Sequence, residues 1–249
     1  MSLFRNIVLA AVIAGLVSGF ALTLLQSYAT IPLIVQAESL EGEGGVATHS
    51  HDHAHDEGTL AHDHHGEDAW MPADGAERFF YTAASNMLAG IGFALILLTA
   101  AEALGMLDGW RSGLMFGLVG FLAFSLAPGL GLPPELPGMP AADLAARQFW
   151  WISTAALTAI GLGLLAYTRT PALAIFGIVL LVVPHLWGAP LPASHETAVP
   201  FELHARFVAA VFATSLVFWA LLGAIAGAAR NRLRGGEETY SNGAVGSVG

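Results

Sequence analysis

The sequence predicts an all-α integral membrane protein with about six transmembrane helices, five being the alternative count. Of its 249 residues, 55% are hydrophobic and only 11% are charged, whereas a soluble globular domain carries roughly 25% charged residues. The apolar residues are also gathered in long uninterrupted runs. Both observations indicate that lipid, and not water, surrounds most of the chain.

Six apolar runs are long enough, or nearly long enough, to cross a bilayer, which requires about 20 residues for roughly 30 Å of hydrocarbon. They cover about 5–31, 79–101, 111–130, 148–168, 171–188 and 205–229. The run 111–130 ends in Pro128-Gly129, and 171–188 is short and contains Pro184, so a five-span chain is the alternative. The first run exceeds the roughly 7–15 apolar residues of a signal peptide, and we predict a retained span.

The arginines favour six spans with both termini in the cytoplasm, because cytoplasmic ends of spans carry the excess of positive charge. This arrangement places Arg5, Arg111, Arg169, Arg230, Arg232 and Arg234 on the cytoplasmic side, and Arg78, Arg147 and Arg206 on the other. We predict a membrane domain over 1–234 with an extracytoplasmic loop, rich in His, Asp and Glu, over 38–70. Residues 235–249 are predicted to be a disordered cytoplasmic tail.

A motif recurs before the second, fourth and sixth runs. In each copy a proline precedes an acid, an arginine follows the acid by four residues, and an aromatic residue follows. The acid–arginine pairs are Asp74 with Arg78, Asp143 with Arg147, and Glu202 with Arg206. An acid suits the positive end of a helix dipole, and residues four apart share a helix face. The motif predicts three repeated helical hairpins; the alternative is that any helix entering from outside has this chemistry.

Each copy of the motif is followed, seven or eight residues after its arginine, by a small polar side chain. These residues are Ser85 and Asn86, Thr154, and Thr214. Inside a membrane span such groups usually bond to a neighbouring helix or to backbone. We therefore expect these positions to make hydrogen bonds within the bundle.

The loop between the first two runs has the composition of a metal-binding segment. Seven of the ten histidines lie between positions 49 and 65, interleaved with acids; they are His49, His51, His53, His55, His62, His64 and His65. Neutral imidazole is a common ligand of divalent transition metals, and carboxylates add oxygen ligands. Such a segment cannot form a packed core and is predicted to be disordered until it binds metal. The alternative is an acidic low-complexity loop that binds metals only because any polyhistidine does.

Further candidate ligands are predicted on the same side of the membrane. His185 lies in Pro184-His185-Leu-Trp187, where the proline frees backbone carbonyls, and a structural interfacial role is the alternative. Asp74, Asp143 and Glu202 of the repeated motif add carboxylates. His195-Glu196 and His204 offer further nitrogen and oxygen groups.

Several classes of function are excluded or disfavoured. All nine basic residues are arginine, so a phosphate-binding P-loop, which requires lysine, is absent. The chain has no cysteine, which removes thiolate metal sites. The net charge of −10 comes largely from one loop and gives no reason to expect nucleic-acid binding. The sequence shows no arrangement of a nucleophile with a general base, so it does not predict an enzyme. No tightly bound cofactor is expected.

At these motifs the chain resembles the CbtA family of cobalt transporter subunits. The longest matching segment is Leu132-Pro-Pro-Glu135-Leu-Pro-Gly138-Met-Pro140-Ala-Ala-Asp143-Leu-Ala-Ala-Arg147-Gln-Phe-Trp-Trp151; others are Trp70–Arg78, Pro184–Pro190 and Val199–Phe207. The resemblance implies cobalt uptake across a bacterial cytoplasmic membrane, often in a cobalamin-synthesis setting. It also implies a small one-span partner, CbtB, with a histidine-rich end. Members are often described as five-span proteins.

The combined expectation is a membrane subunit for uptake of a divalent transition metal. The substrate ion would be cobalt, with nickel, zinc or copper as alternatives, and the histidine loop would capture it. The competing hypothesis is a membrane metal sensor or metal chaperone that does not transport.

Overall fold

The computed structural model describes residues 2–45, 72–73, 75–194 and 196–246, and every regular element in them is helical. The elements are α1 (Ser2–Ala29), α2 (Ile31–Gly45), α3 (Ala76–Ala103), α4 (Trp110–Phe121), a π-helical segment (Leu122–Leu126), α5 (Ala127–Gly131), α6 (Leu144–Tyr167), α7 (Pro171–Trp187) and α8 (Phe201–Gly246). The predicted class is confirmed, because all six apolar runs lie in helices.

Within the described residues, five helices are long and apolar enough to cross a membrane. They are Leu3–Ala29, Ala76–Ala103, Trp110–Gly131, Leu144–Tyr167 and Phe201–Gly235. The predicted fifth span is the shorter apolar helix α7, with 17 residues. At 1.5 Å per residue it is about 26 Å long, slightly less than the hydrocarbon thickness. Large apolar side chains such as Leu88, Met115, Ile152 and Ile175 are exposed on the bundle, as expected for surfaces that contact lipid.

Contacts between the helices define two ends of the bundle. At one end, Arg230 of α8 binds Glu102 near the end of α3, and Gly227 packs on Gly109 before α4. We call this the Arg230 end. At the other end, Arg147 of α6 binds Glu135, and His204 of α8 bonds to the carbonyl of Pro134. We call this the α2 end, because α2 packs there.

Helix α7 runs antiparallel to α6 over nearly the same depth. Trp150, near the start of α6, donates a hydrogen bond to the carbonyl of Pro184 near the end of α7, 3.3 Å away. Farther along α6, Gly161 packs against Gly177 of α7. The described chain therefore passes six times between the two ends, five times as a span-length helix and once as α7.

Glycines bring helices α4 and α8 into close contact. A Cβ added to Gly113 would lie 2.2 Å from the carbonyl oxygen of Gly223, and one added to Gly117 would lie 2.2 Å from that of Trp219. Glycines four residues apart on both helices thus bring the backbones into direct contact, as is common for packing in lipid. The neighbouring core contains many alanines and the large side chains of Leu98, Phe218 and Leu222.

The helices do not pair as three equal hairpins. The extensive contacts are α1 with α3, α1 with α8, α4 with α8, and α6 with α7. Among the described helices, α7 thus packs extensively on α6 and not on its predicted hairpin partner α8. The predicted first hairpin is present, because α1 packs extensively on α3, whereas α4 packs extensively on α8 and only slightly on its predicted partner α6.

Two helices extend beyond the predicted apolar runs. Helix α2 covers Ile31–Gly45, including the start of the predicted loop over 38–70, and its Leu33 and Ile34 pack beside Leu203 and Phe207 of α8. Helix α8 extends to Gly246, whereas the sequence predicts an end of helical structure near Arg234. The disordered tail over 235–249 stays a prediction.

Candidate functional site

The predicted metal ligands fall into two groups. His49, His51, His53, His55, His62, His64, His65 and Asp74 lie outside the described residues, as does His195. Asp143, His185 and Glu202 are described and all lie at the α2 end of the bundle. Their assignment as ligands stays a prediction.

The described candidates do not meet at one point. Asp143 precedes α6 and accepts a hydrogen bond from the backbone N–H of Ala146 at 2.9 Å, which makes it an N-cap. His185 is exposed, with its ring 6.0 Å from that of Trp150, and Glu202 is exposed in the first turn of α8. Within the described part of the chain, no three His, Asp or Glu side chains are grouped to hold a metal ion.

Two of the repeated arginines bind acids from outside the repeated motif. Arg78 of α3 forms a two-nitrogen contact with Glu38 of α2 at 3.3 Å. Arg147 of α6 contacts Glu135 at 2.9 Å. Both pairs are partly exposed at the α2 end, and each ties the start of a span to the segment before it. Arg206 is exposed on α8.

A cavity of about 770 Å³ lies at the α2 end. Arg147, Gln148 and Trp151 of α6 line one side. Phe212 and Ser215 of α8 line another, and Ser125 of the π-helical segment lies beside them. Arg78 lines a different cavity, with Gln26 and Glu38. The repeated arginines therefore do not converge on one central site.

A second cavity, of about 320 Å³, lies between α6 and α7. Its walls include Trp150 and Thr154 of α6, and Pro184 and Trp187 of α7. The segment from Gly188 to Pro190, which leaves α7 at the α2 end, completes the wall. This cavity therefore extends from the α2 end to the buried hydroxyl-bearing face of α6.

The Arg230 end carries a buried ion pair. The side chain of Arg230 is 4% exposed, and its Nε donates to Glu102 Oε1 at 2.5 Å. Its Nη1 has no hydrogen-bond partner among the described residues. The pair joins α3 to α8 where the predicted cytoplasmic side begins, and it fixes α8 one turn beyond the glycine contact with α4.

Sequence reasoning missed three acids that pair with arginines: Glu38, Glu102 and Glu135. Glu135 lies in the long segment that resembles CbtA, so its place in that segment was an available signal. Glu38 and Glu102 lie 40 and 128 residues from their arginines, and no local pattern links them.

Comparison with known proteins gives one result that covers nearly the whole chain. A family model described as a probable cobalt transporter subunit, CbtA, matches residues 4–231. Searches of curated proteins and of solved structures find no match. With the match extending from the first turns of α1 to just past Arg230, the chain belongs to the CbtA family of probable cobalt transporter subunits.

Proposed function

We propose that this protein is the membrane subunit of an uptake system for a divalent transition metal, with cobalt as the first candidate. The observation that carries the proposal is the family match over residues 4–231. The histidine loop captures the ion outside a bacterial cytoplasmic membrane, and both chain termini lie in the cytoplasm. A small one-span, CbtB-like subunit is the proposed partner.

The geometry at the α2 end supports a receiving region for the ion. Asp143, Glu202 and His185 all lie at this end, which the arginine pattern predicts to be extracytoplasmic. The 770 Å³ cavity lies at the same end, and the guanidinium of Arg147 on its wall is balanced by Glu135 at 2.9 Å. Without that carboxylate, Arg147 would repel an entering cation.

Membrane potential is a sufficient energy source for accumulation. A positive unit charge that moves to the negative interior gains about 2.3 kcal/mol per 100 mV, so a divalent cation gains about 4.6 kcal/mol per 100 mV. Accumulation in this proposal therefore requires no nucleotide hydrolysis by this chain, in agreement with the absence of a P-loop lysine.

The test is cell-associated cobalt, with nickel, zinc and copper measured in parallel by elemental mass spectrometry. Bacteria would express the full chain, the chain lacking residues 49–65, or Arg147→Ala, each with and without the one-span partner. Arg206→Ala is the matched control, because Arg206 is exposed on α8 and does not line the 770 Å³ cavity.

We expect cobalt to rise with the full chain and with Arg206→Ala, and to fall toward background with Arg147→Ala, because that change breaks the tie between the start of α6 and the segment that contains Glu135. The loop deletion shows whether capture or the bundle limits the rate. No change in any metal, with the protein confirmed in the membrane fraction, would contradict uptake and favour the sensor or chaperone.

A further inference from the structure

Two buried hydroxyls on α6 have no hydrogen-bond partner among the described residues. Thr154 is 0% exposed and Thr158 is 2% exposed, and the Oγ1 of each lacks a partner. Most hydroxyls in such positions are satisfied, because a buried polar group without a partner costs about 1–3 kcal/mol. These two therefore require an explanation.

Several other hydroxyls in the spans bond to the carbonyl four residues earlier. Ser18 donates to Ala14, Thr23 to Gly19 and Thr214 to Ala210. At the positions equivalent to Thr154 in the repeated motif, Thr214 bonds to backbone, and Asn86 donates to Thr23 and Gln26 of α1 at 3.0 and 2.7 Å. Thr154 departs from both arrangements.

The two threonines point toward α7. Trp150, Thr154, Thr158 and Gly161 follow one another at helical spacing and so share one face of α6. The first and last of them contact α7, through Pro184 and Gly177. Thr154 also lines the 320 Å³ cavity together with Pro184. The hydroxyls therefore lie in the α6–α7 contact, one helical turn apart.

Helix α7 offers an additional oxygen at this depth. Pro184 lies inside the helix and has no N–H, so the carbonyl of Leu180 loses its usual helical donor. Leu180 lies on α7 between Gly177 and Pro184, the same interval that Thr154 and Thr158 occupy on α6 between Gly161 and Trp150. The two hydroxyls, one turn apart, and the freed carbonyl thus lie in the same stretch of the α6–α7 contact.

Access to these oxygens is open on one side. The 320 Å³ cavity connects Thr154 to the α2 end past Trp150 and Trp187, whose aromatic faces attract cations. Toward the Arg230 end the two helices are closed by Gly161 and Gly177, since a Cβ on Gly161 would lie 2.7 Å from the Gly177 carbonyl. An ion that enters this cavity from the α2 end reaches Thr154, one helical turn before Thr158.

We propose that Thr154, Thr158 and the Leu180 carbonyl form a site for a sodium ion. Their donors are neutral oxygens, which suit hard cations, and freed carbonyls of interrupted helices coordinate Na⁺ in transporters. No carboxylate is among these donors, so a divalent ion would be desolvated without a compensating charge. No nitrogen or sulfur ligand is present to select a softer transition metal. Water from the cavity completes the coordination.

In the transport cycle this site binds the coupling ion, a role that rests on the proposed function. Sodium that enters from the α2 end would stabilise the α6–α7 contact in the arrangement seen here. The binding site itself is independent of cobalt, and it is tested with no transition metal present.

The experiment measures equilibrium binding of radioactive ²²Na⁺ to the purified full-length protein in detergent, with choline chloride holding ionic strength constant. Thr154→Val and Thr158→Val remove one hydroxyl each at nearly constant shape. Thr214→Val is the control, because Thr214 is 6% exposed and its hydroxyl already donates to backbone. A cooperative thermal transition shows that each variant is folded, and the shift of that transition with sodium is a second readout of binding.

We expect saturable binding of ²²Na⁺ by the wild-type chain and by Thr214→Val. In Thr154→Val and Thr158→Val the affinity should fall by about tenfold or more, as for loss of one hydrogen-bonding group to a charge. Excess KCl should displace the label far less than NaCl does. Absence of saturable binding, or equal binding by all four proteins, would overturn the site and leave water as the partner of these hydroxyls.

Cobalt accumulation measured separately keeps the two proposals distinct. Cobalt uptake that is indifferent to sodium, together with no ²²Na⁺ binding, removes the sodium site and leaves the uptake function standing. Saturable ²²Na⁺ binding without cobalt accumulation removes the uptake function and keeps the site.

Discussion

The α4–α8 and α6–α7 contacts both rely on facing glycines, but they differ in extent. Between α4 and α8, Gly113 and Gly117 interlock with Gly223 and Gly227 over more than one turn. Between α6 and α7, one pair, Gly161 and Gly177, brings the backbones together. Beyond that pair the helices separate around a cavity of about 320 Å³.

The polar groups of the two contacts differ in the same way. Beside the α4–α8 contact, Trp219 of α8 donates its indole N–H to Ser125 of the π-helical segment at 3.0 Å, and Arg230 of α8 binds Glu102 of α3 just beyond the glycines. In the α6–α7 contact, the hydroxyls of Thr154 and Thr158 lack partners among the described residues. Close packing and satisfied polar groups hold a membrane bundle together. We therefore expect α4–α8 to be the more stable of these two contacts and α6–α7 to be the one able to accept a ligand.

The largest effect is expected from Gly117→Ala in the α4–α8 contact. The added Cβ would lie 2.2 Å from the carbonyl oxygen of Trp219, so the two backbones must separate along the whole interlocked stretch. We expect a loss of about 3 kcal/mol, at the upper end for overpacking. Unfolding of the purified protein by SDS titration measures it, and an unchanged midpoint would show that α4 and α8 do not touch through these glycines.

A smaller loss is expected from Glu102→Ala, which leaves the Arg230 guanidinium buried without its carboxylate. The side chain of Glu102 is 22% exposed, so water screens part of the interaction. We expect a loss of about 2 kcal/mol, typical of a hydrogen bond to a charged group. Arg230→Met in the Glu102→Ala background should recover part of it in the same titration; further destabilisation by the second change would argue against the pair.

The smallest loss is expected from Gly177→Ala in the α6–α7 contact. The added Cβ would lie 2.9 Å from the Gly161 carbonyl, and α7 can shift because it packs extensively on one helix alone among those described. We expect a loss of about 1 kcal/mol, at the lower end for overpacking. Gly163→Ala on α6 is the control, since its Cβ meets nothing within 4 Å. A loss equal to that of Gly117→Ala would abolish the distinction between the two contacts.

The spans could be predicted from sequence because the length of an apolar run is a local property. All six predicted runs lie in helices, with ends that differ by a few residues. Which face of each helix packs on a neighbour could not be predicted. Lipid is as apolar as the core side chains, so a helix in a membrane has no periodic alternation of polar and apolar residues that marks its buried face. Gly113 and Gly163 are both glycines in apolar runs, yet the first contacts a neighbouring backbone and the second contacts nothing.

The candidate site was predictable only in part, for a related reason. The repeated motif marks Arg78 and Arg147 as residues at the start of a span, but it suggests the acid four residues earlier as their companion. Asp143 instead caps α6, because the free N–H groups of the first turn compete for its carboxylate. That leaves Arg147 to Glu135, a pairing that depends on the path of the segment before α6.

The π-helical segment Leu122–Leu126 rotates the helix that contains it. The N–H of Ala127 bonds to the carbonyl of Leu122, five residues earlier, so this turn holds one residue more than an α-helical turn. One extra residue turns everything beyond it by roughly 100° about the helix axis. Before the segment, Gly113, Gly117 and Gly120 all face α8; after it, Gly129 faces Phe212 of α8 while Gly131 faces Trp150 of α6. A single span thus packs on α8 along its first half and on both α8 and α6 along its second half. Deleting one residue between 122 and 126 would restore a continuous α-helix and rotate the second half away from α6.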